Sequence, residues 1–267
     1  MSPITPRFAP VPPARLAALR ARLAAREAPA AAAPRLPLAP AIDQALGGGL
    51  EPHALHLLLA TPHADAAAAF LAALLAARAA TRAGGEVLWA TTGHDLFAPG
   101  LARAGLSPSR LVVARADSDR AALAAMEEAM GAVVVVVGEI RRAGPFLVAA
   151  SRRLQLRCAS RGTLALLLVR EPRLAVPTAA RTAWEVAPAP CALPAHRPLF
   201  AGVGGVGLGP ARLALTLARA RGAAFPRTWL VELAGAADAP PRLAVVAELA
   251  DGTAAARPPQ RHAGAAA

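Results

Sequence analysis

A chain of 267 residues is long enough to bury a full core, and it is expected to form one large domain with flanking segments. Its hydrophobic fraction of 55% excludes overall disorder, although much of it is Ala; aromatic residues make up only 3% and Tyr is absent. The formal charge of +12 rests on arginine alone, because all 29 basic residues are Arg, and it suits an acidic partner such as a nucleic-acid backbone as well as a merely solubilising surface. Cys158 and Cys191 are isolated, with no CxxC or Cys/His spacing, so they read as reduced thiols of a cytoplasmic protein and no zinc site is expected. The amino terminus, MSPITPRFAPVPP, lacks the apolar core of a secretory signal. The longest uncharged part of the Ala-rich segment, 66–77, is too short to span a bilayer and stops at Arg78, so no membrane partner is expected.

Residues 1–40 are bounded by prolines and contain one helical stretch, ARLAALRARLAARE, in which Leu16, Leu19 and Leu23 share a face. APAAAAPRLPLAP then reads as a linker. From 55 to 170 short apolar runs alternate with helical stretches. The runs at 55–60, 86–91, 110–115, 132–138 and 163–169 are nearly continuous, as strands buried on both faces require. Helices are expected over 65–82, 95–104, 118–130 and 146–161, with Asp65, Asp95 and Ser118 as candidate N-caps. This rhythm predicts an α/β fold with a mainly parallel sheet covered by helices. After 181, RTAWEVAPA, RLALTLARA, TWLVELAG and RLAVVAELADG read as shorter strands that end the sheet in antiparallel fashion. AGVGGVGLGP reads as a loop, because no strand-turn-helix context supports a dinucleotide fingerprint. The tail from 254 to 267 reads as disordered.

The run IDQALGGGLEPHALHLLLA resembles the entry to the RecA-type ATPase core, with Asp43, Leu46, Gly47, Gly48, Gly49 and Leu50 in the matching places. The order continues through VLWATTGHDLFAPGLARAGLSPSRLVVARADSDRAALAAMEEAM to AVVVVVGEI at the Walker B position and SRRLQLRCASRGTLALLLV beyond it. Within that superfamily HDLFAPGLARAGL, ASRRLQL and TAWEVAPAP are similar to stretches of the ImuA group, RecA/SulA-like accessory proteins of bacterial translesion mutagenesis. The resemblance spans about residues 41–187 and rests on order and spacing more than on identities. It implies a RecA-like core at 41–190, preceded by an N-terminal helix and linker at 1–40 and followed by a β-rich extension at 191–253. It also implies a non-catalytic, cytoplasmic adaptor in the SOS mutagenesis complex, nucleoid-associated wherever that complex meets DNA. The implied partners are an ImuB-like inactive Y-family polymerase homologue and an error-prone C-family DNA polymerase, with RecA and DNA as further candidates.

The residues at the nucleotide position agree with that implication. A working phosphate loop, GxxxxGK[ST], needs glycines so that backbone N–H groups wrap the phosphates, Lys to neutralise charge and a hydroxyl to hold Mg²⁺. Here the turn is Thr61, Pro62, His63, Ala64, Asp65. Pro62 removes a donor, no glycine permits the wrap, and Asp65 sets a negative charge where an anion would sit. The helix start alone offers an anion only about 0.3–1 kcal/mol. The Walker B strand reaches Gly138 where the resemblance implies a metal-linked Asp, and Glu139 takes that place only after a one-residue slip. The catalytic Glu position falls on Thr91 or Thr92, neither of which acts as a base at neutral pH. No cofactor and no catalytic residue are therefore expected.

His53, His56, His63 and His94 gather near strand ends and read first as structural histidines. Arg141, Arg142, Arg152, Arg153, Arg157 and Arg173 are the candidate contacts to DNA or to an acidic partner, with Arg170 and Arg181 flanking the same region. A divergent RecA-type ATPase and a SulA-like inhibitor of cell division are the alternative readings.

Overall fold

The computed structural model describes residues 33–171, 177–191, 209–220, 226–235 and 241–249. The elements below belong to the compact unit that begins at Arg35. The expected N-terminal helix, the Gly-rich run at 201–208, Arg173 and the tail lie outside the described residues.

Among the described residues nine strands form one sheet: β1 Leu55–Ala60, β2 Val87–Thr91, β3 Leu111–Arg115, β4 Val135–Arg142, β5 Leu164–Glu171, β6 Thr182–Ala189, β7 Arg212–Ala220, β8 Arg227–Ala234 and β9 Arg242–Leu249. Their order is β3-β2-β4-β5-β1-β6-β7-β8-β9, and the first six are parallel. Only β7, β8 and β9 are antiparallel. TAWEVAPA is the junction: as β6 it is antiparallel to β7, as expected, but on its other edge it runs parallel to β1, pairing Leu58 with Trp184. An isolated apolar strand carries no mark of its direction, which the connection to its neighbour decides.

The helices are α1 Pro40–Ala45, α2 Asp65–Ala83, α3 Ala98–Arg103, α4 Asp119–Ala129 and α5 Phe146–Arg161. Ser118 caps α4 as expected, its hydroxyl accepting from the Ala121 amide at 3.2 Å. Asp65 is not a cap but the first helical residue of α2, with Ala64 at the cap position. Asp95 is not a cap either, because α3 starts only at Ala98, where proline fits the first turn. Gly84 and Gly162 end α2 and α5 in the left-handed conformation, which carries no steric cost for glycine. The apolar run at 132–134 begins as a turn rather than as strand, since the Ala132 and Val133 amides return to the Ala129 carbonyl at 3.0 and 3.3 Å.

Two cores lie on opposite faces of the sheet. On one, α2 inserts Leu71, Leu74 and Leu75 against Trp89, Trp184 and Trp229, and the last two rings lie 6.1 Å apart at 44°. On the other, α4 and α5 bring Leu123, Met126, Leu147, Leu154 and Cys158 onto β1, β4 and β5. Burial pushes the Cys158 thiol up to about 12 and leaves it un-ionised. The Ala-rich segment forms the helix expected over 65–82, one residue longer. As a helix it runs 19 residues and is long and apolar enough to cross a membrane by length and composition, with half of that window buried on the sheet. Its Arg78 donates to the Pro37 and Leu38 carbonyls, each at 3.2 Å.

The IDQALGGGL entry has a direct structural reason. Asp43 on α1 accepts the Leu38 amide at 2.8 Å through its side chain, and its carbonyl accepts Gly48 N–H at 2.7 Å. Leu36 and Leu50 then pair in a short bridge. Gly49 sits at φ +115, and a Cβ there would come within 2.5 Å of the Leu36 carbonyl oxygen.

A buried relay joins this entry to β1 and β6. Trp184 Nε1 donates to Thr182 Oγ1 at 2.8 Å, Thr182 Oγ1 meets His56 Nδ1 at 2.8 Å, and His56 Nε2 donates to the Glu51 carbonyl at 2.8 Å. A carbonyl only accepts, so the proton sits on Nε2 and Nδ1 accepts from the threonine. Desolvation, reinforced by Arg181 and Arg35, depresses His56 to about 4. The folded protein therefore binds fewer protons than the unfolded chain between that value and the ordinary histidine value of about 6.5. Stability should fall as pH drops through this window, by on the order of 3 kcal/mol in all. Urea denaturation at stepped pH should show that loss, and His56→Gln should flatten it.

Candidate functional site

The carboxyl ends of β1, β2, β4 and β5 converge where an open α/β sheet takes its ligands. After β1 the turn closes on its own chain. The Thr61 amide and hydroxyl both donate to the Val186 carbonyl, at 3.1 and 3.2 Å, and the Ala64 amide returns to the Thr61 carbonyl at 2.9 Å. Pro62 has no N–H, and His63 adopts φ +65 in place of a glycine. Two amides of a would-be phosphate cradle are thus already engaged within the protein.

Arg170, near the end of β5, fills the space in front of this turn. Its guanidinium pairs with three carboxylates from three elements. Asp65 Oδ2 at the start of α2 lies 3.4 Å from Nε, Glu139 Oε1 on β4 lies 3.3 Å from Nε, and Asp95 after β2 takes a bidentate pair from Nη1 and Nη2. The hydrogen bond to Asp95 raises the Arg170 pKa, and the same bond holds the Asp95 carboxyl below its usual range. Gly93 makes room for it, since a Cβ at that position would stand 2.5 Å from Asp95 Oδ1.

Glu139 is 5% exposed, and its other oxygen is fully engaged: Oε2 accepts from Thr91 Oγ1 at 3.0 Å and from Trp89 Nε1 at 3.3 Å. Thr91 in turn accepts the Gly93 amide at 2.9 Å. Of the two Walker B candidates, Glu139 is therefore the one on the turn side of the sheet. Gly138 faces the opposite core, where a Cβ would fall on Met126 Sδ of α4. An aspartate cannot be restored at 138 without displacing that methionine. Three carboxylates around one guanidinium leave excess negative charge where nucleotide phosphates would approach, and the proximity makes that repulsion unfavourable for an anion.

The arginines proposed as DNA contacts are mostly paired. Arg141 and Arg142, at the end of β4, share Glu171 at 3.0 and 2.8 Å, and this double pairing holds the Glu171 carboxyl at about 2. Their backbone amides both donate to the Asp119 carboxylate. On α5, Arg153 pairs with Glu127 at 2.9 Å and Arg157 donates to the Glu127 carbonyl at 2.7 Å. Arg152 is exposed and has no partner among the described residues. Arg173 lies outside them. Arg170 and Arg181 do not extend this face: Arg170 belongs to the acidic cluster, and Arg181 pairs with Glu51 at the other end of the sheet. Among the histidines, His56 is structural as described and His94 accepts from Arg115 at 2.9 Å. Among the described residues no group of three His, Cys, Asp or Glu is placed to hold a metal ion.

Sequence reasoning had Asp65 and Glu139 as degenerate nucleotide-site positions and missed that Arg170 and Asp95 join them. The available signal was one charged residue at or just beyond the end of each core strand. Their convergence follows only from the strand order.

No family model matches the chain. Protein ImuA of Caulobacter vibrioides, in strains NA1000 / CB15N and ATCC 19089 / CIP 103742 / CB 15, is 34% identical over 227 residues, covering 79% of this chain and 88% of the relative. The chain belongs to the ImuA family. Among solved structures it is similar to the RadB recombinase, at 15% identity and a TM-score of 0.49, over 73% of this chain and 94% of that one. The stretches that resembled ImuA have structural tasks here. In ASRRLQL, Gln155 Oε1 accepts the Leu55 amide at 3.0 Å and so ties α5 to the first strand. In TAWEVAPAP, Thr182 and Trp184 build the buried relay to His56. In HDLFAPGLARAGL, Asp95 grips Arg170.

Removing the guanidinium would leave Glu139 buried without its cation beside two further carboxylates. Arg170→Ala should therefore cost about 1–3 kcal/mol, moderated because Asp65 and Asp95 stay partly in water. Thermal melts would measure this, and adding Glu139→Gln to the variant should recover part of the loss.

Proposed function

We propose that this ImuA-family, RecA-like chain is a non-catalytic adaptor of bacterial translesion synthesis. It acts by its surfaces, positioning an ImuB-like inactive Y-family polymerase homologue and an error-prone C-family polymerase at damaged DNA in the cytoplasm. The observation that carries the non-catalytic part is Arg170 clamped among Asp65, Asp95 and Glu139 in the space before the first-strand turn. A protein side chain there supplies the positive charge that a loop lysine and Mg²⁺ supply in an ATPase, so the strand ends are held together without a nucleotide. The adaptor part is supported by family membership and by the +12 charge, which favours an acidic partner.

Titration with Mg-ATP should give neither micromolar binding nor turnover, and either result would return the chain to the ATPases. Affinity capture from cells after DNA damage should recover the Y-family homologue with the chain. Filamentation of cells on expression, without that partner, would instead favour a division inhibitor. If DNA is contacted directly, the face is α5, where Arg152 is exposed without a partner among the described residues and Arg153 and Arg157 stand beside it. Binding should then weaken steeply with salt, and neutralising these three with Gln should lower the salt slope by about one for each phosphate that is no longer neutralised. An unchanged slope would remove DNA from the set of partners.

A further inference from the structure

At the opposite end of the sheet from the Arg170 cluster, the amino-terminal ends of β1 and β6 and the Gly-rich turn after α1 border an open cavity of about 350 Å³. Its walls carry Arg35, Gln44, Glu51, His56, Arg181 and Thr182. That volume falls in the range of small-molecule sites.

The donors in this cavity are incompletely used. Arg35 engages only Nη1, on the Leu46 and Gly49 carbonyls at 3.3 and 3.1 Å, which fixes its guanidinium while Nε and Nη2 have no partner among the described residues. Arg181 Nε is buried without a hydrogen bond. It lies 3.3 Å from Glu51 Oε2, an ion pair by distance but without hydrogen-bonding geometry. The Gln44 side chain is exposed at the rim and has no internal bond among the described residues. Thr182 and His56, by contrast, satisfy each other, so the relay lines the cavity as a neutral wall. Two guanidiniums face one carboxylate, and the depressed pKa of His56 registers the positive potential of both arginines.

Arg181 Nε is a buried donor without a hydrogen bond, which is costly, whereas the Arg35 guanidinium is exposed, held in place through Nη1 and open to a ligand on its remaining N–H groups. Their planar forks match oxyanions, carboxylate and phosphate alike, which accept two parallel N–H bonds. We infer that this cavity is a binding site for a small oxyanionic ligand, gripped by Arg35 and Arg181 with Gln44 donating from the rim. This site is independent of the adaptor reading, since it lies across the sheet from the cluster that carries that reading.

The test is calorimetric titration of the full chain at constant ionic strength with two probes, inorganic pyrophosphate and succinate. Saturable one-site binding of either probe at millimolar concentration or below is expected, and a tenfold preference between them identifies the group as phosphate or carboxylate. Gln44→Glu adds a negative charge at an exposed position that holds no side-chain bond, so it should leave the melting temperature of the free protein unchanged. It should weaken binding at least tenfold. Arg181→Gln should do likewise, whereas Arg82→Gln, at the exposed end of α2, should bind as the parent does. Absence of saturable binding to both probes overturns the inference. So does equal binding by the parent and Gln44→Glu, or equal weakening by Arg82→Gln, which would mark general attraction of anions to an arginine-rich surface.

Discussion

Four segments that are remote in sequence meet at one guanidinium. Arg170 on β5 holds Asp65 at the start of α2, Asp95 after β2 and Glu139 on β4, and through Glu139 it reaches Thr91 and Trp89 on β2. In a parallel sheet the carboxyl ends of the strands are tied only by their neighbours, and the loops beyond them are free to part. A charged hub crossing β2, β4, β5 and the first-strand turn supplies that tie. It depends on every member, because a buried carboxylate without its cation is worse than no ion pair at all.

The same hub shows that the turn after the first strand is not an isolated feature. Pro62 and the internal bonds of Thr61 and Ala64 remove the cradle, Gly138 is occupied from behind by Met126, and Thr91 is engaged with Glu139. Each substitution fits its neighbours, so the region is a packed and satisfied polar network rather than an emptied active site. The candidate arginines are also less free than their number implies, since Glu127 and Glu171 engage four of the five described candidates.

Much of the architecture was legible in residue order. Continuous apolar runs such as Leu164–Val169 could only be strands covered on both faces, and Gly84 and Gly162 marked where α2 and α5 stop. Ser118 was a correct cap because that signal is local, a hydroxyl three residues from the amide it accepts. Asp65 and Asp95 were misread as caps for the converse reason. An acidic residue before a helical stretch has the same local pattern whether it caps a helix or reaches for a distant arginine. The antiparallel pairing of β6 with β7 was legible, but its parallel pairing with β1 was not, because pairing and not composition sets strand direction.

The sequence by itself determined the class of fold, the positions of the core strands and the residue types at the turn after the first strand, which holds no glycine and no lysine, since these follow from periodicity and from residue types present or missing at one place in the chain. Only the tertiary structure decided that Glu139 rather than Gly138 faces the turn, that Arg170 joins Asp65, Asp95 and Glu139, and that Arg35 and Arg181 line one cavity at the far end. The physical reason is that charge interactions fall off over a few ångströms. Their partners are fixed by which strands lie side by side, and strand order is a property of the folded sheet.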